Sequence, residues 1–415
     1  MPVTAMPPTR AAVLQHVDLA VLFGTLALGT WLIYKQRSRK AVLGLSIFSL
    51  LYFGFWRKGC VCSIGSLQNV ALALFPNGYV VPLVVLLFFV LPLVFALFFG
   101  RTFCAAVCPH GALQDLLLLK PVKVPGWLEQ GLGVLPFVYL GAGVLFAATG
   151  STFLICQYDP FVPIFRMNGR VLMVSIGVAL LLLGMFVGRP YCRFLCPYGA
   201  LLRMAGIVSR WRVRVTPDYC TQCRLCENSC PFGALRPPQT DQNRNQDLRS
   251  DRRRLGWLLL LLPALVCGGA LIGRTFSDTA SLLHPTVALA NRFAREGSVP
   301  ALYSGGPSSA EQLALERARQ APDDLLTQAA AIRTRFKPAT TIFGAWVGLV
   351  VGLKLISLSV RREQRDYDPD SGACLACARC FETCPNELAR RGLAPALAPA
   401  TLGGPEALTQ QPSSA

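Results

Sequence analysis

Two cysteine runs with one spacing constrain this chain more than any other feature. The first is Cys220-Thr221-Gln222-Cys223-Arg224-Leu225-Cys226-Glu227-Asn228-Ser229-Cys230-Pro231. The second is Cys374-Leu375-Ala376-Cys377-Ala378-Arg379-Cys380-Phe381-Glu382-Thr383-Cys384-Pro385. In the shared pattern, C-x2-C-x2-C-x3-C-P, three thiolates on one tight loop grip three corners of a [4Fe–4S] cube. The fourth, followed by proline, points toward a neighbouring cluster. Soft tetrahedral thiolate sites also suit zinc. Two identical runs, each closed by Cys-Pro, favour iron–sulfur clusters and a chain that carries electrons.

The rest of the chain favours a membrane. It is 53% hydrophobic and 15% charged over 415 residues, against about 25% charged in soluble proteins. Several apolar runs approach bilayer length. Sixteen cysteines in a small secreted protein would imply disulfides, but most of these sit in metal spacings, which need reduced thiolates. The net charge of +18 could suit nucleic acid. Its distribution follows membrane topology instead, so no nucleic-acid partner is expected.

Taken in order, residues 1–12 read as a disordered N-terminus. The run 11–34 ends in Lys35, Arg37, Arg39 and Lys40. A signal peptide would place its positive charge first, so this is an uncleaved anchor whose C-terminal end faces the cytoplasm. Further spans are expected at 41–55, 79–100, 132–150, 171–187, 255–273 and 340–358. They leave a membrane domain at 13–205, cluster-binding segments at 211–240 and 365–391, a polar linker at 236–254, a periplasmic helical segment at 274–339 and a disordered tail at 392–415. The fold class is therefore an all-α polytopic membrane protein of about seven transmembrane helices, with a cytoplasmic α+β two-cluster module. With the N-terminus outside and the C-terminus in the cytoplasm of a bacterial inner membrane, 26 of the 40 Lys and Arg fall inside and 13 outside. Eight of those 13 lie in the one long outer loop, which the positive-inside rule exempts.

A phrase repeats: Cys108-Pro109-His110-Gly111-Ala112-Leu113, Cys196-Pro197-Tyr198-Gly199-Ala200-Leu201, Cys230-Pro231-Phe232-Gly233-Ala234-Leu235 and the degenerate Cys62-Ser63-Ile64-Gly65-Ser66-Leu67. In the first two, a second cysteine, Cys104 or Cys192, stands four residues upstream. On one helical turn such a pair shares a face, proline then ends the helix, and glycine lets the backbone turn toward a metal. Cys104, Cys108, Cys192 and Cys196 are thus expected to hold a third iron–sulfur cluster. The alternative is free or redox-active thiols at the membrane surface.

Paired Cys-x3-Cys-Pro motifs at span ends, followed by C-x2-C-x2-C-x3-C-P runs, resemble the bacterial membrane polyferredoxins. That family includes the regulator of nitrous-oxide reductase and the membrane quinol dehydrogenase of periplasmic nitrate reductase. The resemblance covers about residues 40–235 and the C-terminal run. It implies a membrane unit that passes electrons between the cytoplasmic face, or quinol, and a periplasmic redox partner. The chain departs from the pattern in placing its second run beyond an extra two-span hairpin. It also lacks a flavin-attachment sequence, so a flavin, if used, would belong to a separate subunit. An assembly or regulatory factor for a periplasmic metalloenzyme is the reading from another class.

Three further expectations follow. Each run ends in Cys-Pro, which predicts crossed ligation: Cys220, Cys223 and Cys226 with Cys384, and Cys374, Cys377 and Cys380 with Cys230. The basic face at Arg203, Arg210, Arg212, Arg214 and Arg252 to Arg254 suits anionic lipid or an acidic donor such as a ferredoxin or flavodoxin. The remaining Cys60, Cys62, Cys156 and Cys267 fall in the outer half. Cys267 lies about 18 Å into its span at 1.5 Å per residue, past the midplane of a ~30 Å core. A fourth cluster there would carry electrons to the outer face. Alternatively, Cys60 and Cys62 form a redox dithiol, and Cys267 beside Gly268-Gly269 reflects helix packing. His16 and His284 could face one another across a haem, but lone histidines at an interface serve many structural roles. Asp159-Pro160 reads as a turn. No catalytic dyad, triad or phosphate loop stands out.

Overall fold

The computed structural model describes residues 12–59, 63–75, 79–215, 220–238, 244–296, 322–360 and 366–393. Cys60 and Cys62 lie outside the described residues, as do both expected disordered ends apart from 12, 392 and 393. The described chain is helical apart from one two-stranded sheet.

Helix α1 (Ala12–Trp31) continues as a π-helical stretch, Leu32–Gln36, and ends at Arg37, which adopts the left-handed conformation with φ 51°. Helix α2 (Arg39–Ser49) is capped by Ser38, whose hydroxyl accepts from Ala41 N–H, and also continues as π-helix, Leu50–Trp56. A short helix α3 (Ser63–Ala73) precedes α4 (Leu83–Phe99). Every residue of α4 is apolar, and Pro92 sits inside it, where its missing N–H removes one backbone bond. Then come α5 (Thr102–Ala106), α6 (Pro109–Leu116), α7 (Gly126–Leu132), α8 (Leu135–Ala148), α9 (Leu154–Gln157) and α10 (Val162–Arg166). They are followed by α11 (Val171–Gly184), α12 (Pro190–Phe194), α13 (Pro197–Ile207) and α14 (Leu225–Ser229). Strand β1 (Leu235–Arg236) precedes α15 (Arg244–Thr275), α16 (Ser277–Ser281), α17 (Pro285–Glu296) and α18 (Pro322–Ser359). The chain closes with β2 (Asp368–Pro369), α19 (Arg379–Thr383) and α20 (Pro385–Arg390).

By length and composition, four of the described helical stretches can cross a membrane: Val13–Gln36, Gly126–Ala148, Arg253–Thr275 and Asp323–Ser359. Leu83–Phe99 and Val171–Gly184 are apolar but shorter. Two expected boundaries move. The polar stretch before residue 255 does not stay a linker, because α15 already starts at Arg244. Likewise α18 runs unbroken from Pro322 through Pro338 to Ser359, joining the expected outer segment to the expected span. Its N-terminal half packs beside α17, where Val287, Ala290, Leu325 and Ala329 are buried together.

The hairpin of α15 and α18 is held by glycine. A Cβ on Gly344 would fall on the Gly269 carbonyl, and one on Gly348 on the Leu265 carbonyl. Gly269-x3-Gly273 therefore faces Gly344-x3-Gly348, the small-residue pattern that lets membrane helices approach backbone to backbone. The hairpin docks on α8 through Trp346, whose indole N–H donates to Phe137 O at 2.9 Å. The main core lies elsewhere, around the two Cys-x3-Cys pairs, where α1, α2, α4, α6 and α13 converge.

Candidate iron–sulfur centres

The two Cys-x3-Cys pairs are built alike. Cys104 lies on α5 and Cys192 on α12, while Cys108 and Cys196 are the N-caps of α6 and α13. Both caps are extended, with φ −70° and ψ 117° at Cys108 and φ −66° and ψ 113° at Cys196. This corrects the expectation that each pair shares one helical face. A residue before proline avoids the helical region, and proline is favoured as the first residue of a helix. Pro109 and Pro197 therefore start a new helix instead of ending one. Glycine is needed three residues after each cap: a Cβ on Gly111 would lie 2.8 Å from Cys104 O, and one on Gly199 3.2 Å from Cys192 O.

All four cysteines are 6–7% exposed and share one core. Gln114 Nε2 donates to Cys192 Sγ at 3.4 Å, Gly199 N to Cys196 Sγ at 3.3 Å, and Arg101 Nη2 lies 3.9 Å from Cys104 Sγ. Burial pushes the Cys192 thiol up to about 11 and raises that of Cys196, and the donors aimed at three sulfurs work against it, since hydrogen bonds to the charged form favour it.

The second assembly joins the two long runs, although 143 residues separate Cys230 from Cys374. Strands β1 and β2 pair antiparallel, Leu235 opposite Pro369 and Arg236 opposite Asp368. Asp370 secures the entry to the second run. Its N–H donates to Ala234 O at 2.8 Å, and its Oδ1 accepts from Gly372 N at 2.8 Å and Ala373 N at 3.2 Å. Burial would raise its carboxyl pKa, but Arg236 and those N–H groups outweigh burial and lower it. The loops themselves are strained at matching places: Gln222 and Arg224 in one run, Ala376 and Ala378 in the other, all with φ between 52° and 63°. Non-glycine residues hold that conformation where the surroundings impose it, and the turned backbone N–H groups of such loops favour anionic groups.

Cysteine placement crosses between the runs. Cys220, Cys223, Cys226 and Cys384 line one cavity together with Val215 and Tyr367. On the other side, the charge of Cys230 is felt at Cys374 and Cys380, alongside that of Cys377. Burial pushes the Cys226 thiol up to about 11 and the Cys374 thiol up to about 12, so a bound metal would have to supply the driving force for deprotonation. Among the described residues no three His, Cys, Asp or Glu side chains are close enough to hold a single metal ion.

Asp115, on α6, ties the two assemblies together. Its carboxylate pairs with Arg39 on α2, with Arg189 at 3.1 Å and with Arg379 of the second run at 3.1 Å. Burial alone would raise its pKa, but these three guanidinium groups hold it well below the usual carboxylate range. Arg37 pairs with Glu387 at 2.7 Å, Arg39 N donates to Glu382 at 3.0 Å, and Arg193 pairs with Glu129 at 2.6 Å. None of these partners stood out in the sequence. The available signal was positional: Arg101 and Arg189 each stand three residues before the first cysteine of a pair.

The remaining candidates separate. Cys156 lies against α3, since a Cβ on Gly65 would sit 3.2 Å from its Sγ, and its N–H donates to Gln68 Oε1 at 3.1 Å. Cys267 is exposed on α15, whose packing partners are α18 and α16; the structure does not bring it to Cys156. Asp159 does more than shape a turn. It is buried, with Oδ2 3.3 Å from His110 Nε2 and accepting from Tyr191 O–H at 3.3 Å, while His110 stacks on Tyr191. His16 is exposed, and His284 Nδ1 accepts from Thr286 N at 3.2 Å.

Known proteins place these features in a class. A 4Fe-4S binding domain family matches residues 81–127 and 170–216, the two Cys-x3-Cys halves, and a second 4Fe-4S binding domain family matches residues 212–235. The chain is a membrane-associated, polyferredoxin-like protein with 4Fe-4S binding domains, and it resembles NirI and NosR. It is 34% identical to protein NirI of Paracoccus denitrificans over 157 residues, 34% of this chain and 23% of that protein. It is 24% identical to the putative electron transport protein YccM of Escherichia coli over 240 residues, 49% of this chain and 65% of that protein. It is 27% identical to the regulatory protein NosR of Pseudomonas aeruginosa over 244 residues, 53% of this chain and 33% of that protein. The matched part thus spans between about a quarter and two thirds of these relatives. No solved structure matches the chain.

Proposed function

We propose that this protein conducts electrons across a bacterial inner membrane, between a cytoplasmic two-cluster module and a redox partner on the outer face. The observation that carries the reading is the Asp115 hub, which clamps the Cys104/Cys108/Cys192/Cys196 set against the second long run. When bound, [4Fe–4S] clusters supply one-electron carriers whose potentials follow net charge, hydrogen bonds to sulfur and exposure. Cys220, Cys223, Cys226 and Cys384 would hold one, Cys374, Cys377, Cys380 and Cys230 a second, and the two Cys-x3-Cys pairs a third. Gly111 and Gly199 let the backbone close on the third site, and Phe103, Tyr191 and Tyr198 exclude water from it. An outer centre would use Cys60, Cys62 and Cys156, which the approach of Cys156 to Gly65 supports. Seven crossings, with the N-terminus outside and the C-terminus in the cytoplasm, put the module inside.

The test uses proteoliposomes with ferricyanide trapped inside and dithionite added outside. Iron-loaded protein is expected to reduce the trapped ferricyanide, and Cys192→Ser to abolish this. Equal rates in both would defeat the reading. The similarity to a regulatory protein over 53% of the chain favours a second role, control or assembly of a periplasmic metalloenzyme. In that case loss of this chain would empty the partner of metal without altering its electron supply.

A further inference from the structure

The two halves of the cysteine repeat exchange arginines. Arg101 precedes Cys104 and Arg189 precedes Cys192 by the same three residues, and each is the N-cap of its short helix. Each side chain reaches into the other half. Arg189 Nη1 donates to Cys104 O and occupies the space over Gly111, where an added Cβ would meet it at 3.0 Å. Arg101 Nη2 occupies the matching space over Gly199, 3.4 Å from where a Cβ would stand. The glycines of the repeated phrase thus leave room for the opposite half's guanidinium as well as for the backbone turn.

Arg101 also reaches the second long run, and Arg189 reaches the end of the first. Arg101 Nη1 lies 3.4 Å from Gly372 O, and Arg101 lines a cavity with Cys374 while its Nη2 faces Cys104 Sγ at 3.9 Å. The Arg189 guanidinium lies 5.7 Å from the ring centre of Phe232, two residues after Cys230. Arg189 is fully buried and Arg101 nearly so, at 4% exposure. Protein balances their charge only in part. Asp115 serves Arg39, Arg189 and Arg379 at once. Arg101 has no carboxylate partner among the described residues, and its Nε has no hydrogen-bond partner there. A buried charge without a counter-charge is costly, so such residues point to an anion that belongs beside them.

We propose that Arg101 and Arg189 are positioning residues that form a shared positive seat for the negative charge of two thiolate-ligated centres, the Cys104/Cys108/Cys192/Cys196 set on one side and the Cys374/Cys377/Cys380/Cys230 set on the other. This rests on the ligand sets proposed above. A fixed positive charge stabilises the reduced, more negative form of whatever it faces, so the seat raises the reduction potential of both centres together. It also explains why each half lends its arginine to the other: the seat is not complete until both halves and both long runs have docked.

The test is an EPR-monitored redox titration of full-length protein purified anaerobically in detergent, with iron and sulfide analysis of each sample. Arg101→Gln and Arg189→Gln are expected to shift midpoint potentials downward, while Arg101→Lys, which keeps the charge, stays near wild type. Full iron with unshifted potentials in both Gln variants would overturn the proposal. Should a Gln variant lose iron, recovery of iron in the Lys variant supports a seat for charge. Failure of lysine to restore it assigns the arginines to packing and overturns the proposal. Wild-type protein without iron or sulfide would instead remove the centres themselves, an outcome metal analysis alone distinguishes.

Discussion

Cys104, Cys108, Cys192 and Cys196 lie sealed in the main core, each from a short helix or its cap, whereas the long runs open toward water at the start of the first. Cys223 is exposed and Cys220 half-buried, while burial still raises the Cys230, Cys374 and Cys380 thiols. The sealed set is assembled from two copies of one phrase, its donors reaching across from Gln114 and Arg101. The open set is assembled from two copies of another, its loops held by left-handed residues and a two-residue sheet. The difference teaches a division of labour. A centre reached by solvent suits exchange with a diffusing partner, and one enclosed by Phe103, Tyr191 and Tyr198 suits a relay that must exclude side reactions.

The largest effect that would break this comparison lies at the joint between the two. Asp115→Ala leaves Arg39, Arg189 and Arg379 facing one another without a counter-charge, a loss of about 3–5 kcal/mol. The second run should detach, which protease sensitivity near Arg379 would report. Sensitivity equal to wild type would mean that the sheet alone holds the module. Next comes the repeat. Gly111→Ala puts a Cβ 2.8 Å from a backbone carbonyl and 3.0 Å from Arg189, whereas Gly199→Ala meets its neighbours at 3.2 to 3.4 Å. The first should cost about 1–3 kcal/mol and the second less, read as a larger drop in thermal midpoint for Gly111→Ala. Equal drops would mean that the two halves are not packed as described.

The smallest effect is at the surface. Lys123 pairs with Glu227 at 3.1 Å beside the open set, with the lysine side chain 64% exposed, so Lys123→Ala should change stability by less than about 1 kcal/mol. Arg210, Arg212, Arg214, Arg253 and Arg254 are exposed as well. Electron entry from an acidic donor should slow steeply as ionic strength rises. A rate indifferent to salt would leave these residues to anionic lipid.

The cysteine spacings were legible in the sequence because they are local: covalent separation along the chain decides which sulfurs one loop can present. The repeated phrase was legible for the same reason, and so was the need for glycine within it. The partnerships were not. Asp115 meets Arg379 across 264 residues, and nothing local in Leu113-Gln114-Asp115 announces three arginines. Asp159 looked like the start of a turn because Asp-Pro commonly is one. Its burial against His110 and Tyr191 depends on how α6 and α12 pack. The placement of each cysteine pair was not legible because proline can either break a helix or begin one, and here Pro109 and Pro197 begin one. Depth along the span does not give the face of Cys267, which is set by the glycine stripe opposite Gly344 and Gly348.

The central claim, that the open set is built by exchange of the Cys-Pro cysteines between two distant runs, is tested most directly by replacing Cys384. EPR spectra and iron content of anaerobically purified Cys384→Ala should match those of Cys220→Ala, with one centre lost and the sealed set intact. If Cys384→Ala instead matches Cys374→Ala, each run keeps its own fourth cysteine and the crossed arrangement is wrong.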